Sequence, residues 1–137
     1  MRTVLLQLAE ALPGVRIVVV GATALRHHLG DDVDATLDLD LCAALELDEL
    51  RPRLPTDWRP DPRLPHRWRS ADGTLVDLLP AGPAVLAVGE IRWPDGSVMD
   101  MTGLDLAMRD AAPLGAPLPD QVRVASLRAL FVAKVAA

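Results

Sequence analysis

The chain has 137 residues, of which half are apolar, and its formal net charge is −5. This length predicts a single domain, residues 1–137, that can bury a core of its own. The acidic charge argues against a broad nucleic-acid-binding surface, and the apolar runs are too short to cross a membrane. The one cysteine, Cys42, cannot form an internal disulfide, and the sequence begins without a signal-peptide pattern. We therefore expect a cytoplasmic protein that acts away from membranes.

The N-terminal part of the chain alternates between helix and strand patterns. Residues 4–12 place leucine and valine on one face of a short helix, which a Pro-Gly pair ends. Residues 16–20, Arg-Ile-Val-Val-Val, form a run typical of a strand that is buried on both faces. Gly21 follows this strand, and residues 22–29 predict a second helix that stops at a glycine.

A strand with two aspartates on one face comes next. Residues 31–34 predict an acidic loop, and residues 36–43 begin with leucines that alternate with polar side chains. This period of two is typical of a half-buried strand, and it puts Asp38 and Asp40 on the same face. Residues 51–65 predict a proline-rich irregular loop. Two hairpins are predicted at residues 66–79 and 89–101, and a final helix at residues 124–137.

The spacing of the two aspartates suits the binding of divalent cations. Side chains at i and i+2 of a strand point the same way, roughly 6–7 Å apart. Mg²⁺ prefers one or two carboxylates with substrate phosphates and water, and two such ions can clamp both oxygens of an in-line displacement. A glycine before a helix, as at Gly21, lets a phosphate approach backbone N–H groups. The alternatives are a solvated strand face or a calcium loop, but Leu37 and Ala43 stand where an EF-hand needs glycine and glutamate.

The segments VVVGATALRHHLG and ATLDLDL together resemble the nucleotidyltransferases of the DNA polymerase β-like superfamily. More narrowly, they resemble the minimal bacterial enzymes related to AbiEii-type toxins. The family pattern is a hydrophobic strand, Gly-Gly or Gly-Ser, a helix, and a strand with Thr or Ser before two alternating aspartates. Here Gly21 matches the first glycine and Ala22 replaces the second small residue. Thr36, Asp38 and Asp40 match the later part in register.

The resemblance implies an α+β (α/β) nucleotidyltransferase fold, a short mixed sheet with flanking helices on one side. It implies that Asp38 and Asp40 are catalytic metal ligands for two Mg²⁺ ions, and that Asp77 on a neighbouring strand completes the set. The residues implied to bind the triphosphate of an NTP are Gly21, Ala22, Thr23 and Lys134. From the residues alone, Asp77 is also compatible with a solvated strand end, Thr23 with a helix cap, and Lys134 with a surface lysine.

The activity implied by the resemblance is Mg²⁺-dependent transfer of an NMP from an NTP to an acceptor hydroxyl on tRNA or protein. The setting it implies is a toxin–antitoxin system with a cognate antitoxin as partner. Two alternatives stay open: a non-catalytic member of the fold that binds a protein, and an enzyme that modifies a small molecule such as an aminoglycoside. Asp34 motivates the first, because the family often has a basic residue there. The sequence also ends before the family's last motif, which motivates the same alternative and the expectation of a domain truncated at its C-terminus.

Arginine and tryptophan side chains are concentrated at residues 58–69. They predict either a surface that stacks on nucleotide or RNA bases, or a proline-rich loop packed against the sheet, and we prefer the second interpretation. The three histidines and Cys42 show no spacing typical of a zinc site or a nucleophilic pair. The basic and aromatic residues concerned are Trp58, Arg63, Arg67, Trp68 and Arg69.

Overall fold

The computed structural model describes residues 1–30 and 38–136, with side chains described up to residue 133. The α-helices in these ranges are α1 (Arg2–Ala11), α2 (Gly21–His28), α3 (Leu47–Leu50), α4 (Pro83–Val88), α5 (Leu104–Arg109) and α6 (Leu127–Ala136). The strands are β1 (Ile17–Val19), β2 (Asp38–Ala43), β3 (Arg59–Pro60), β4 (Arg67–Arg69), β5 (Leu75–Pro80), β6 (Glu90–Arg92), β7 (Val98–Asp100), β8 (Ala112–Pro113) and β9 (Val122–Val124). A short 3-10 helix, Arg51–Arg53, follows α3 directly.

Seven of these strands form one mixed sheet with the order β3-β4-β5-β2-β1-β9-β8. In its centre, β1 is antiparallel to β2 and parallel to β9, and β2 is parallel to β5. The outer pairs β3-β4, β4-β5 and β8-β9 are antiparallel, and β6 and β7 form a separate hairpin. The expectation of a mixed sheet with flanking helices is therefore confirmed at the level of α and β architecture.

The first core lies between α1 and one face of the sheet. The apolar side chains on the predicted helical face, Val4, Leu5, Leu8 and Leu12, are at most 1 % exposed. They belong to one buried cluster with side chains of β1 and β2, including Leu41. Because strand side chains alternate, every second residue of β2 points into this cluster and the others point away from it. The packing of α1 thus decides which face of β2 is left for the aspartates.

The opposite face of the sheet is covered by α5 and α6. Val18 and Cys42 pack there with side chains of both helices, such as Leu104 and Ala129. The expectation that the helices lie on one side is therefore wrong. The reason is that α5 has only six residues and begins directly after Gly103, so its apolar side chains span too few turns to show a helical period.

Most predicted elements form where the sequence indicates them, including α1, β1, α2, the last helix and both hairpins. The structure adds β9, which pairs in parallel with β1 through Ile17 and Val122. A strand of three residues is too short to leave a periodic pattern in the sequence. The acidic loop predicted at residues 31–34 lies outside the described residues.

Candidate functional site

Three aspartates reach the same face of the sheet from two adjacent strands. β2 and β5 are parallel neighbours in which Asp40 pairs with Asp77, and Asp38 lies two residues before Asp40. The residues on either side of Asp40 and Asp77 are buried in the core under α1, so the aspartates point to the opposite face. Asp38 is exposed, whereas Asp40 and Asp77 are half-buried. The sequence-predicted residues of β2 and β5 are thus close together.

Gly21 brings the N-terminus of α2 against Asp40. It is the first residue of α2 and has a φ of +61°, which residues with a side chain rarely adopt. A Cβ at this position would lie 2.6 Å from Asp40 Oδ2. Only glycine therefore allows the Asp40 carboxylate to lie against the start of this helix. The first N–H groups of a helix lack intrahelical acceptors, so the chemistry of this turn suits an anion.

Ala22 and Thr23 occupy different environments in the same turn. Ala22 is exposed, whereas Thr23 is 1 % exposed and its hydroxyl donates to the Asp38 carbonyl over 3.3 Å. The N-cap of α2 is Val20, without a side-chain hydrogen bond, so Thr23 does not cap the helix. Its hydroxyl instead links α2 to β2.

Asp77 is held by an arginine on the next strand. Arg67 pairs with Asp77 across the β4-β5 ladder, and its Nε donates to Oδ1 over 2.8 Å while its Nη2 donates to Oδ2 over 3.1 Å. His66 Nε2 lies 3.9 Å from the same Oδ1. The hydrogen bonds and the charge of Asp77 raise the pKa of Arg67 further above its ordinary value. Sequence reasoning missed this ion pair because it depends on the register between β4 and β5.

The negative charge at this edge of the sheet is only partly compensated. Burial is the largest cause that raises the pKa of Asp40 above 3.8, and the charges of Asp77 and Asp38 raise it further. Arg67 and His66 act in the opposite direction but with a smaller effect. A cation that binds beside Asp40 would therefore relieve a repulsion that the fold itself creates.

The described residues fit a cation held by Asp38 and Asp40, with phosphate oxygens and water as further ligands, which is the set that Mg²⁺ prefers. Asp77, the third ligand that the resemblance implies, accepts one hydrogen bond from Arg67 on each of its oxygens, and its role as a ligand stays a prediction. In the part of the chain whose side chains are described, no group of three His, Cys, Asp or Glu residues is arranged to hold a metal ion. The site is thus a two-carboxylate site with a third carboxylate in an ion pair.

An apolar cavity of about 510 Å³ lies beside Gly21, between the sheet, the segment after β7, α5 and α6. This volume is in the range of small-molecule sites, roughly 300–1,000 Å³. Burial raises the pKa of the Cys42 thiol in its wall to about 12, so the thiol stays neutral and is a poor nucleophile. No motif in the sequence pointed to this cavity, whose lining includes Gly21, Cys42, Leu79, Met101, Leu104 and Leu130.

The basic and aromatic stretch at residues 58–69 does not form an open stacking surface. Trp58 is 4 % exposed and belongs to the core under α1, and Trp68 packs against the same core. Arg67 is engaged by Asp77. A tryptophan that is buried in this way cannot stack on a base, and the structure agrees with the interpretation of a proline-rich loop packed against the sheet.

Two residues of the predicted site fall outside what the structure describes. Thr36 belongs to residues 31–37, and the side chain of Lys134 lies beyond residue 133. Lys134 is located only through the backbone of α6, which spans Leu127–Ala136. The contact of Lys134 with a phosphate therefore stays a prediction, as does the match of Thr36 to the family pattern.

No protein-family model, curated protein or solved structure matches this chain. In the described ranges, the helices are too short and too polar for any of them to cross a bilayer. A functional conclusion for this chain therefore depends on the side chains at the edge of β2 and on their chemistry.

Proposed function

We propose that this chain is a divalent-cation-dependent nucleotidyltransferase with a fold of the DNA polymerase β-like type. The observation that supports the proposal most is the close contact between Gly21 and Asp40. Through it, a helix N-terminus that suits phosphate adjoins a strand with two aspartates at i and i+2. Phosphoryl transfer needs both parts side by side, because catalysis comes largely from positioning and from charge neutralisation.

Each residue of this edge has a proposed role. Asp38 and Asp40 would hold Mg²⁺, one ion or two, which when bound neutralises phosphate charge and activates the attacking hydroxyl. The backbone N–H groups of Gly21, Ala22 and Thr23 bind the triphosphate at the positive end of α2. The Thr23 hydroxyl fixes Asp38 through its carbonyl oxygen. The missing side chain of Gly21 lets the Asp40 carboxylate lie against the start of α2.

Two further residues and a cavity complete this arrangement. Asp77 supplies a carboxylate next to Asp40 that Arg67 holds in a fixed position. Lys134, on α6, neutralises phosphate charge as the resemblance implies. The apolar cavity beside Gly21 offers space for the nucleoside.

The acceptor that we propose is a hydroxyl of tRNA or of a protein, in a toxin that is controlled by a cognate antitoxin. Labelled NTPs incubated with total tRNA, with cell protein and with aminoglycosides separate the acceptor classes. We expect Mg²⁺-dependent label on tRNA or protein. Label on the drug alone would rule out the toxin and favour a small-molecule enzyme.

A second candidate is a non-catalytic member of the same fold that binds a protein partner such as a toxin. The observation in its favour is the Arg67–Asp77 ion pair, which occupies a carboxylate that the resemblance assigns to the metal. This candidate predicts a folded protein that does not bind NTPs in a Mg²⁺-dependent way.

Calorimetric titration with each NTP, in Mg²⁺ and then in EDTA, decides between the two candidates. We expect NTP binding that requires Mg²⁺ and that weakens by about tenfold or more in Asp38→Asn and in Asp40→Asn. Asp57→Asn is the matched control, because Asp57 is exposed and lies outside the site. If the wild type shows no Mg²⁺-dependent NTP binding, or if Asp40→Asn binds unchanged, the enzyme is excluded and the non-catalytic candidate stands.

A further inference from the structure

Arg67, Asp77 and Asp40 form one row across three neighbouring strands. The ladder pairs Arg67 with Asp77, and Asp77 with Asp40. All three side chains are half-buried. The row therefore runs from one positive to two negative charges, and Asp77 lies between the guanidinium and the proposed metal ligand.

The guanidinium of Arg67 donates one hydrogen bond to each oxygen of Asp77. The two hydrogen bonds, at 2.8 and 3.1 Å, make a bidentate pair, which fixes the position and the plane of a carboxylate. His66 Nε2 adds a third polar neighbour at 3.9 Å from Oδ1. Arg67 and Asp77 together are neutral, so the uncompensated charge at this edge belongs to Asp38 and Asp40.

We propose that Arg67 is a positioning residue that keeps Asp77 outside the coordination shell and leaves the cation to Asp38 and Asp40. This role rests on the proposed function, because it presumes that the edge binds a divalent cation. It also changes the role of Asp77, from the third ligand implied by the family resemblance to a charge held at a fixed distance from the ion.

Because Arg67 and Asp77 form a neutral pair, their single and double replacement should change cation affinity in different ways. Removal of the guanidinium alone leaves an extra negative charge and tightens cation binding, whereas removal of the Asp77 charge alone leaves an extra positive charge and weakens it. For a unit charge near a partly exposed site, each effect is on the order of tenfold. Removal of both charges restores the balance, so affinity returns to within about threefold of the wild type. A true ligand shows no such restoration.

The experiment measures Mn²⁺ binding to the whole chain without nucleotide, with free Mn²⁺ followed by electron paramagnetic resonance. The variants are Arg67→Met, Asp77→Asn and the double variant Arg67→Met/Asp77→Asn. Arg69→Met is the matched control, because it removes a positive charge from the same strand while Arg69 bonds the Gly73 carbonyl instead of an aspartate. Circular dichroism and thermal unfolding establish that each variant folds. If Arg67→Met does not fold, Arg67→Lys replaces it, and its retained charge is expected to keep the affinity within about threefold of the wild type.

Restored binding in the double variant, with unchanged binding in Arg69→Met, supports the role of Arg67. The role is overturned if the double variant binds Mn²⁺ as weakly as Asp40→Asn, because Asp77 is then a ligand in its own right. It is also overturned if Arg67→Lys weakens binding as much as Asp40→Asn. A wild type that binds no Mn²⁺ at millimolar concentration, either alone or with an NTP, removes the proposed function itself; this outcome needs no variant and is therefore distinct from the other two.

Discussion

Replacement of Gly21 by alanine tests how closely the start of α2 lies against Asp40. The new Cβ would lie 2.6 Å from Asp40 Oδ2 and 3.1 Å from its Cγ, so the carboxylate has to move. The backbone contributes a second cost, because a φ of +61° is unfavourable by roughly 1–2 kcal/mol for a residue with a side chain. Displacement of a packed neighbour typically costs about 1–3 kcal/mol more. We therefore expect Gly21→Ala to lower the free energy of unfolding by roughly 2–5 kcal/mol.

A second glycine separates these two costs. Gly14 has a φ of +75°, but a Cβ there would meet nothing within 4 Å. Gly14→Ala therefore bears the backbone cost alone, about 1–2 kcal/mol. The assay is urea denaturation of both variants, followed by circular dichroism under identical conditions. In an Asp40→Ala background, the further loss caused by Gly21→Ala should fall close to that of Gly14→Ala, because the carboxylate that clashes is gone.

Equal losses in Gly21→Ala and Gly14→Ala, within about 0.5 kcal/mol, would refute this reasoning. They would mean that Asp40 does not lie against α2, and the strongest support for the proposed function would disappear with that contact. An undiminished loss from Gly21→Ala in the Asp40→Ala background would assign that loss to another neighbour.

Three further predictions concern titration, reactivity and the core. Burial raises the pKa of Asp40 in the folded protein above 3.8, so protonation of Asp40 favours the folded state. This stabilisation is complete below pH 3.8, and it is lost as the pH rises through the folded-state pKa. Asp40→Asn should therefore gain stability relative to the wild type as pH rises from 3.5 to about 7 in urea titrations, and a relative loss over that range contradicts the assignment. Cys42 is buried and its thiol pKa is about 12, so Ellman's reagent at pH 8 should label it only in denaturant. Rapid labelling of the native protein would instead show that Cys42 lies at the surface. Leu8→Ala should cost roughly 2–5 kcal/mol and Leu6→Ala much less, because Leu8 is fully buried and Leu6 is 38 % exposed; equal costs in urea denaturation would contradict the packing of α1.

The strand that contains Asp38 and Asp40 could be predicted because its information is local. Alternating leucines fix which side chains are buried, and the aspartates then take the other face wherever the strand lies in the sheet. The same holds for α1, whose buried face is visible in residues 4–12 without knowledge of its partners. The proximity of Asp77 was also predicted, but from the family resemblance, since no local pattern joins residues that are so far apart.

Features that depend on register between distant segments could not be predicted in this way. The ion pair between Arg67 and Asp77 requires the alignment of β4 with β5, and a shift of one residue would put Arg67 on the other face. The packing of residues 58–69 against the core was predicted from their proline content, but that Trp58 rather than Trp68 is fully buried depends on contacts with distant segments. The cavity beside Gly21 is lined by residues of several strands and helices that are far apart in sequence, so no local pattern predicts it.

The parallel pairing of β1 with β9 has a consequence for how the chain is made. Ile17 and Val122 are about a hundred residues apart in sequence, yet they are neighbours in the middle of the sheet. During synthesis, one edge of β1 has no partner from β9 until residues 122–124 have left the ribosome. Such an edge is a template for pairing with other chains, and contacts that are distant in sequence form slowly. The nascent protein therefore exposes this edge until residues 122–124 become available, and the pairing that completes the centre of the sheet waits for them.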